Sequence, residues 1–208
     1  MRGGCMLAAV AGLGILAGCA ASTYELRQHP QQERLERLTA TILPVTEYPS
    51  KHYWVRVCQP DEQHRIGLTI LPNRHVYFAS DLLEQADDAI VTALLAHGIA
   101  HHRLQHFTKR GGVNLLQRVA FKVGGFFVPG LGYGRYVGDP IVEGAFSGGH
   151  ESGADKKTVA YLRAMGRSPA DLARALEFLI AHGYGERTGG LVSADRELQS
   201  RRNRLPNP

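Results

Sequence analysis

The chain has 208 residues, 44% of them hydrophobic and 21% charged, enough apolar material for a single domain with a real core. Its net charge of +5 and pI near 9.3 would suit nucleic acid in a cytosolic protein. No aromatic-interleaved basic motif accompanies that charge: the basic residues are scattered, or gathered in Lys156-Lys157 and the tail residues Arg196, Arg201, Arg202 and Arg204, where a solvated face is expected. A nucleic-acid partner is therefore not expected, and no repeat, phosphate loop or serine-nucleophile elbow is present.

The start of the chain reads as a targeting segment. Met1-Arg2 gives a short positive start, Met6 to Leu16 is apolar, and Leu16-Ala17-Gly18-Cys19 has the pattern of a bacterial lipobox. The apolar run is too short to span a bilayer. Residues 1–18 are expected to be a lipoprotein signal peptide, with Cys19 acylated at the start of the mature chain; the alternative is an ordinary secretory signal. Residues 19–32 are polar and aperiodic, as in a tether, and residues 33–208 form the domain. Cys5 would leave with the signal and Cys19 would carry lipid, so Cys58 has no disulfide partner and is expected to be a small packed hydrophobe.

Within the domain, a helix is expected from Glu33 to Leu43, with Leu35, Leu38 and Ile42 on one side and Pro44 closing it. Strands follow at Tyr53 to Cys58, Gly67 to Leu71 and His75 to Ala79, the last two joined as a hairpin through Pro72-Asn73-Arg74. From Asp88 to Phe107 the chain reads as one helix, capped by Asp87 or Asp88. Ile90, Leu94, His97, His101 and Leu104 share one narrow arc of it, so two histidines face the core. The span Gly111 to Gly149 is rich in glycine and aromatics; it is either a packed loop after a short helix or a lid beside the site. A further helix over His150 to Met165 puts Glu151, Asp155 and Thr158 on one stripe, and another runs from the Ser168-Pro169-Ala170-Asp171 cap to Gly183. His29, His52, His64, His75 and His182 are isolated and are expected to face solvent.

The chemistry lies in His97-Gly98-Ile99-Ala100-His101. It matches HExxH at both metal-binding positions and lacks the Glu that takes a proton from the attacking water. Two buried imidazoles need a polar partner, and the carboxylates of the second helix can be that partner. His97, His101 and Glu151 would make the three protein ligands of a zinc site, with Asp155 behind them holding a ligand histidine by its free N–H. The other reading of the same residues is a buried histidine–carboxylate network without metal.

These motifs resemble metallopeptidase family 48, which includes HtpX-type proteases, CAAX prenyl proteases and periplasmic lipoprotein proteases, over roughly residues 50–180. Its hairpin, HExxH helix and ExxAD motif correspond to residues 71–83, to His97–His101 and to Glu151-Ser152-Gly153-Ala154-Asp155, and His106 matches a recurrent histidine. The resemblance implies an α+β, mostly helical zincin-like domain with a small antiparallel sheet, Zn2+ as cofactor, and His97, His101 and Glu151 as its ligands. It further implies a protein or peptide substrate in the cell envelope; the lipobox, with Ala20 after Cys19 where lipoproteins retained at the inner membrane often carry Asp, points to a lipid anchor on the periplasmic face of the outer membrane. The departures are Gly98 in place of the base, Asn73-Arg74 in place of the hairpin glycines, and Ser193-Ala194-Asp195 in place of Thr-His-Pro. They imply a weak or inactive peptidase, or a non-catalytic zinc-stabilised binding protein. Gly98→Glu is expected to restore activity without disturbing the fold, and Glu143 and His150 are the candidate substitute bases.

Overall fold

A computed structural model of the chain describes residues 25–60, 65–71, 74–106, 148–188, 191–193 and 195–205. The expected lipobox at Cys19, His64, the hairpin residues Pro72 and Asn73, the glycine-aromatic segment up to residue 147 and Glu143 lie outside them.

The first helix forms as α1, Gln31–Ile42, with Leu35, Leu38 and Ile42 buried and Pro44 in the 3₁₀ turn Leu43–Val45 that ends it. The expected strands form as β1 (Trp54–Cys58), β2 (Ile66–Leu71) and β3 (His75–Ala79). β2 and β3 pair antiparallel up to Leu71↔His75, and Arg74 next to the turn takes φ 65, a left-handed conformation that glycine would adopt at lower cost. Cys58 is a buried thiol in β1. A short helix α2, Ser80–Gln85, leads from β3 into α3, Asp88–Arg103.

The remaining described elements are α4 (Gly148–Ala164), α5 (Ala170–Ala181), β4 (Gly185–Thr188), β5 (Leu191–Ser193) and α6 (Asp195–Asn203). The class is α+β as expected, but the sheet is not a small antiparallel one. It has five strands in the order β1-β3-β2-β4-β5, with β1 parallel to β3 and β2 parallel to β4. Parallel pairing needs a crossover, and β2 meets β4 only after the chain has passed through the helices from α2 to α5. The polar Gly185-Glu186-Arg187-Thr188 carries no apolar alternation that would have marked it as a strand, yet all of its residues are buried.

Helix α3 is the centre of the molecule and packs on α1, α4 and α5. The Asp87 side chain caps it, accepting from the Ile90 N–H at 2.8 Å. Every residue from Ile90 to His101 is buried. The helix stops at Arg103, short of the expected Phe107, because Gln105 turns left-handed at φ 56 and the His106 N–H returns to the His101 carbonyl. The His102 ring donates from Nε2 to the Leu71 carbonyl at 2.6 Å, pinning the end of α3 to the end of β2.

Candidate metal centre

One turn of α3 separates His97 and His101, so both rings project from the same face. Both are wholly buried, and their Nε2 atoms lie 3.0 Å apart. Helix α4 crosses α3 and brings Glu151 to the same point, its Oε2 3.3 Å from His97 Nε2 and 3.4 Å from His101 Nε2. Three ligand-type atoms therefore form a triangle of the size that a single first-row metal ion brackets.

Around the triangle stands a shell of groups that fix it. Asp155, one turn after Glu151 on α4, puts Oδ1 3.3 Å from His97 Nδ1. His106, turned back by the end of α3, puts Nδ1 3.1 Å from His101 Nδ1. Each histidine thus has a second-nitrogen partner that can set its ring orientation and tautomer. His150 stacks on His106 with ring centroids 4.6 Å apart, so it faces the supporting ring.

Two residues that sequence reasoning did not place here complete the cluster. Glu186 of β4 puts Oε1 3.0 Å from His97 Nε2. Arg201 of α6, expected in a solvated basic tail, is instead wholly buried. Its guanidinium forks onto Asp155, Nε donating to Oδ2 at 3.2 Å and Nη2 to Oδ1 at 2.8 Å, while Nη1 donates to Glu186 Oε2 at 3.0 Å. Such planar, bidentate pairing is what arginine supplies and lysine does not. The sequence carried one usable signal, an acidic residue in a short segment that closes a helix-rich domain, and it was too weak to read.

The electrostatics follow from burial. Desolvation would raise the Glu186 carboxyl, but His97 and Arg201 beside it hold it down at about 2. Desolvation likewise opposes ionisation of Glu151, whose carboxyl is nonetheless kept well below the usual range by His101 and Arg201. Burial lowers His101. It would lower His97 as well, but the charge of Glu186 and the hydrogen bonds to Glu151 and Glu186 outweigh both burial and Arg201, holding this imidazole at about 9. The same contacts keep the Arg201 guanidinium charged well beyond its ordinary range.

The residues fit a metal ion. Glu151 Oε2 is buried among His97 Nε2, His101 Nε2 and Arg201 Nη1, at 3.3, 3.4 and 3.1 Å. It lies between two imidazole nitrogens, a set of donor atoms that suits a metal ion. With both imidazoles neutral, as metal ligation requires, Glu151, Asp155 and Glu186 set three negative charges against the positive charge of Arg201, and a divalent cation that displaces the His97 proton would balance the remaining two. His97, His101, Glu151 and Glu186 each offer one ligand atom within 4.8 Å of the others.

Position 98 is different in kind. A Cβ there would sit 3.3 Å from Val76 Cγ2 and 3.5 Å from Ile70 Cγ1, so this side of α3 lies against the sheet. The expectation that Gly98→Glu leaves the fold undisturbed meets this packing, since a side chain there requires Val76 to give way by a few tenths of an ångström. Among the isolated histidines, His52 and His182 are exposed, whereas His29 and His75 are half-buried. Among the described residues no helix is long and apolar enough to cross a membrane. No curated protein matches the chain, but residues 29–135, just over half of it and including all of α3, match the model of Peptidase family M48.

Proposed function

The chain belongs to peptidase family M48, and we propose that it is a zinc-binding, metallopeptidase-type lipoprotein of the bacterial envelope whose hydrolytic step is impaired. In this reading His97, His101 and Glu151 are the zinc ligands, Asp155 and His106 orient the two histidines, and the scaffold holds an envelope protein or peptide. The observation that carries it is the convergence of three ligand atoms beside a helix position, Gly98, that has no side chain and is closely packed against Val76.

Zinc held there would polarise a carbonyl and activate water. The chain's own part is to fix the ligand rings and to keep them buried. It supplies no carboxylate from position 98 to move a proton, and losing a positioned base costs about 10²–10⁴-fold in rate. His150 does not replace it, since it packs on His106.

The reading is tested by incubating the zinc-supplied chain with unfolded casein and with an envelope-protein digest. At most a trace of chelator-sensitive cleavage is expected; robust cleavage would contradict the impairment. The location is tested separately: Cys19→Ala should move the protein from the membrane to the soluble fraction or leave it unprocessed, and a wild-type protein that is already soluble would contradict the lipid anchor.

A further inference from the structure

We infer that Glu186 is a fourth protein ligand of the metal, so that the chain closes the coordination sphere itself and the ion serves as a structural clamp. The inference rests on the metal-binding reading above and deepens it by assigning the position that a water or substrate would need. Structural zinc sites are closed by four protein ligands, whereas catalytic sites have three and keep the fourth position open.

Geometry puts Glu186 among the ligands. Its Oε1 approaches His97 Nε2 to 3.0 Å, closer than Glu151 Oε2 does at 3.3 Å. The orientation is fixed from behind, since Oε2 is held by Arg201 Nη1 at 3.0 Å, which leaves Oε1 turned inward, where the Thr188 hydroxyl donates to it at 3.3 Å. The backbone is fixed as well: β4 pairs with β2 on one side and with β5 on the other, with Glu186 opposite Leu68 and Ser193. A carboxylate carried by an interior strand cannot swing aside as one on a surface loop could.

Charge points the same way. With the imidazoles neutral, as metal ligands must be, the carboxylates of Glu151 and Asp155 against Arg201 would leave one negative charge without Glu186; with it they leave two, which a divalent ion neutralises in a buried site. The clamp joins α3, α4 and β4 directly and α6 through Arg201.

The test uses the full chain, stripped with a chelator and loaded with Co2+, a spectroscopic probe for sites of nitrogen and oxygen ligands. Acetohydroxamate is titrated in while the visible d–d absorption is followed. The wild-type spectrum should not change, because no position is open to the hydroxamate, whereas the Glu186→Ala spectrum should shift. Glu186→Gln, which retains the side-chain shape, should hold Co2+ about 100-fold more weakly, the upper range for disturbing a metal's ligand environment. A wild-type spectrum that shifts with hydroxamate, or wild-type Co2+ affinity in Glu186→Gln, overturns the inference. Failure of the wild-type chain to bind Co2+ overturns the metal reading and this one together, while hydroxamate-responsive Co2+ overturns this one alone. If Glu186→Ala does not fold, the wild-type titration and the Glu186→Gln affinity decide.

Discussion

Gly98→Glu is the perturbation in which packing and chemistry make opposite demands. The first atom of any side chain at 98 meets Val76 Cγ2 at 3.3 Å, with Val76 Cγ1 and Ile70 Cγ1 at 3.5 Å. Val76 and Ile70 are wholly buried and face each other in the β2–β3 ladder, and β-branched side chains have few rotamers to retreat into. Gly98→Ala gains about 1 kcal/mol of helix propensity and gives up a similar amount in crowding, so it should lie within about 1 kcal/mol of wild type. Gly98→Glu gains the same propensity but forces the rest of the side chain into filled space, at about 1–3 kcal/mol, and buries a carboxylate beside apolar strands, at about 2 kcal/mol or more. The net loss is about 2 kcal/mol or more, which for a chain of this size lowers Tm by at least about 4 °C. Thermal unfolding followed by circular dichroism would be compared for wild type, Gly98→Ala, Gly98→Glu and the Gly98→Glu/Val76→Ala double variant. Gly98→Glu should cost less in the Val76→Ala background, because the two sites share one space. If Gly98→Glu is as stable as wild type and cleaves casein in a chelator-sensitive way, the new carboxylate reaches the metal past Val76, and the reading of position 98 as a packing position is wrong.

Other perturbations probe the charges. Arg201→Ala leaves three buried carboxylates without their guanidinium, and breaking such a network from one side costs about 3–5 kcal/mol in urea unfolding; Arg201→Lys should recover little, since an ammonium cannot fork onto Asp155 while also reaching Glu186. Saturating zinc should raise the melting temperature of the stripped wild-type chain, and an unchanged value would count against a native metal. Away from the site, burial tends to raise Glu47, but hydrogen bonds from Lys157 and the Tyr161 hydroxyl hold it at about 2, below its ordinary 4.5. A carboxyl lowered in the folded state contributes stability that is present above pH 4.5 and lost as the pH falls toward 2. The stability difference between wild type and Glu47→Gln should therefore be flat above that range and shrink below it; a difference that grows on acidification would contradict the assignment.

What the sequence disclosed followed from local periodicity. The 3.6-residue stripe of α3 located both histidines, the stripe of α4 located Glu151 and Asp155, and alternation located β1, β2 and β3 within a residue at each end. The misses were non-local. Glu186 lies on a four-residue polar strand that exists because it pairs with β2, far earlier in the chain (Leu68↔Glu186), and no local pattern reports such a pairing. Arg201 reads as part of a basic tail because its partners, Asp155 and His97, are 46 and 104 residues away. A buried ion network leaves no hydrophobic signature of its own, so a helix such as α6, with only Leu198 and Arg201 buried, resembles a solvated one. The tight approach of α3 to the sheet was equally silent: Gly98 was legible as a missing base, and its role as the contact point with Val76 and Ile70 needed the fold.

The peptidase-type function and the role of Glu186 both turn on the buried histidines and carboxylates holding a metal ion, and metal analysis of the purified chain after equilibrium dialysis tests that most directly. About one zinc per chain is predicted, together with its loss in the His97→Ala/His101→Ala variant. A wild-type chain that retains no zinc, or a double variant that retains it undiminished, would contradict the metal centre.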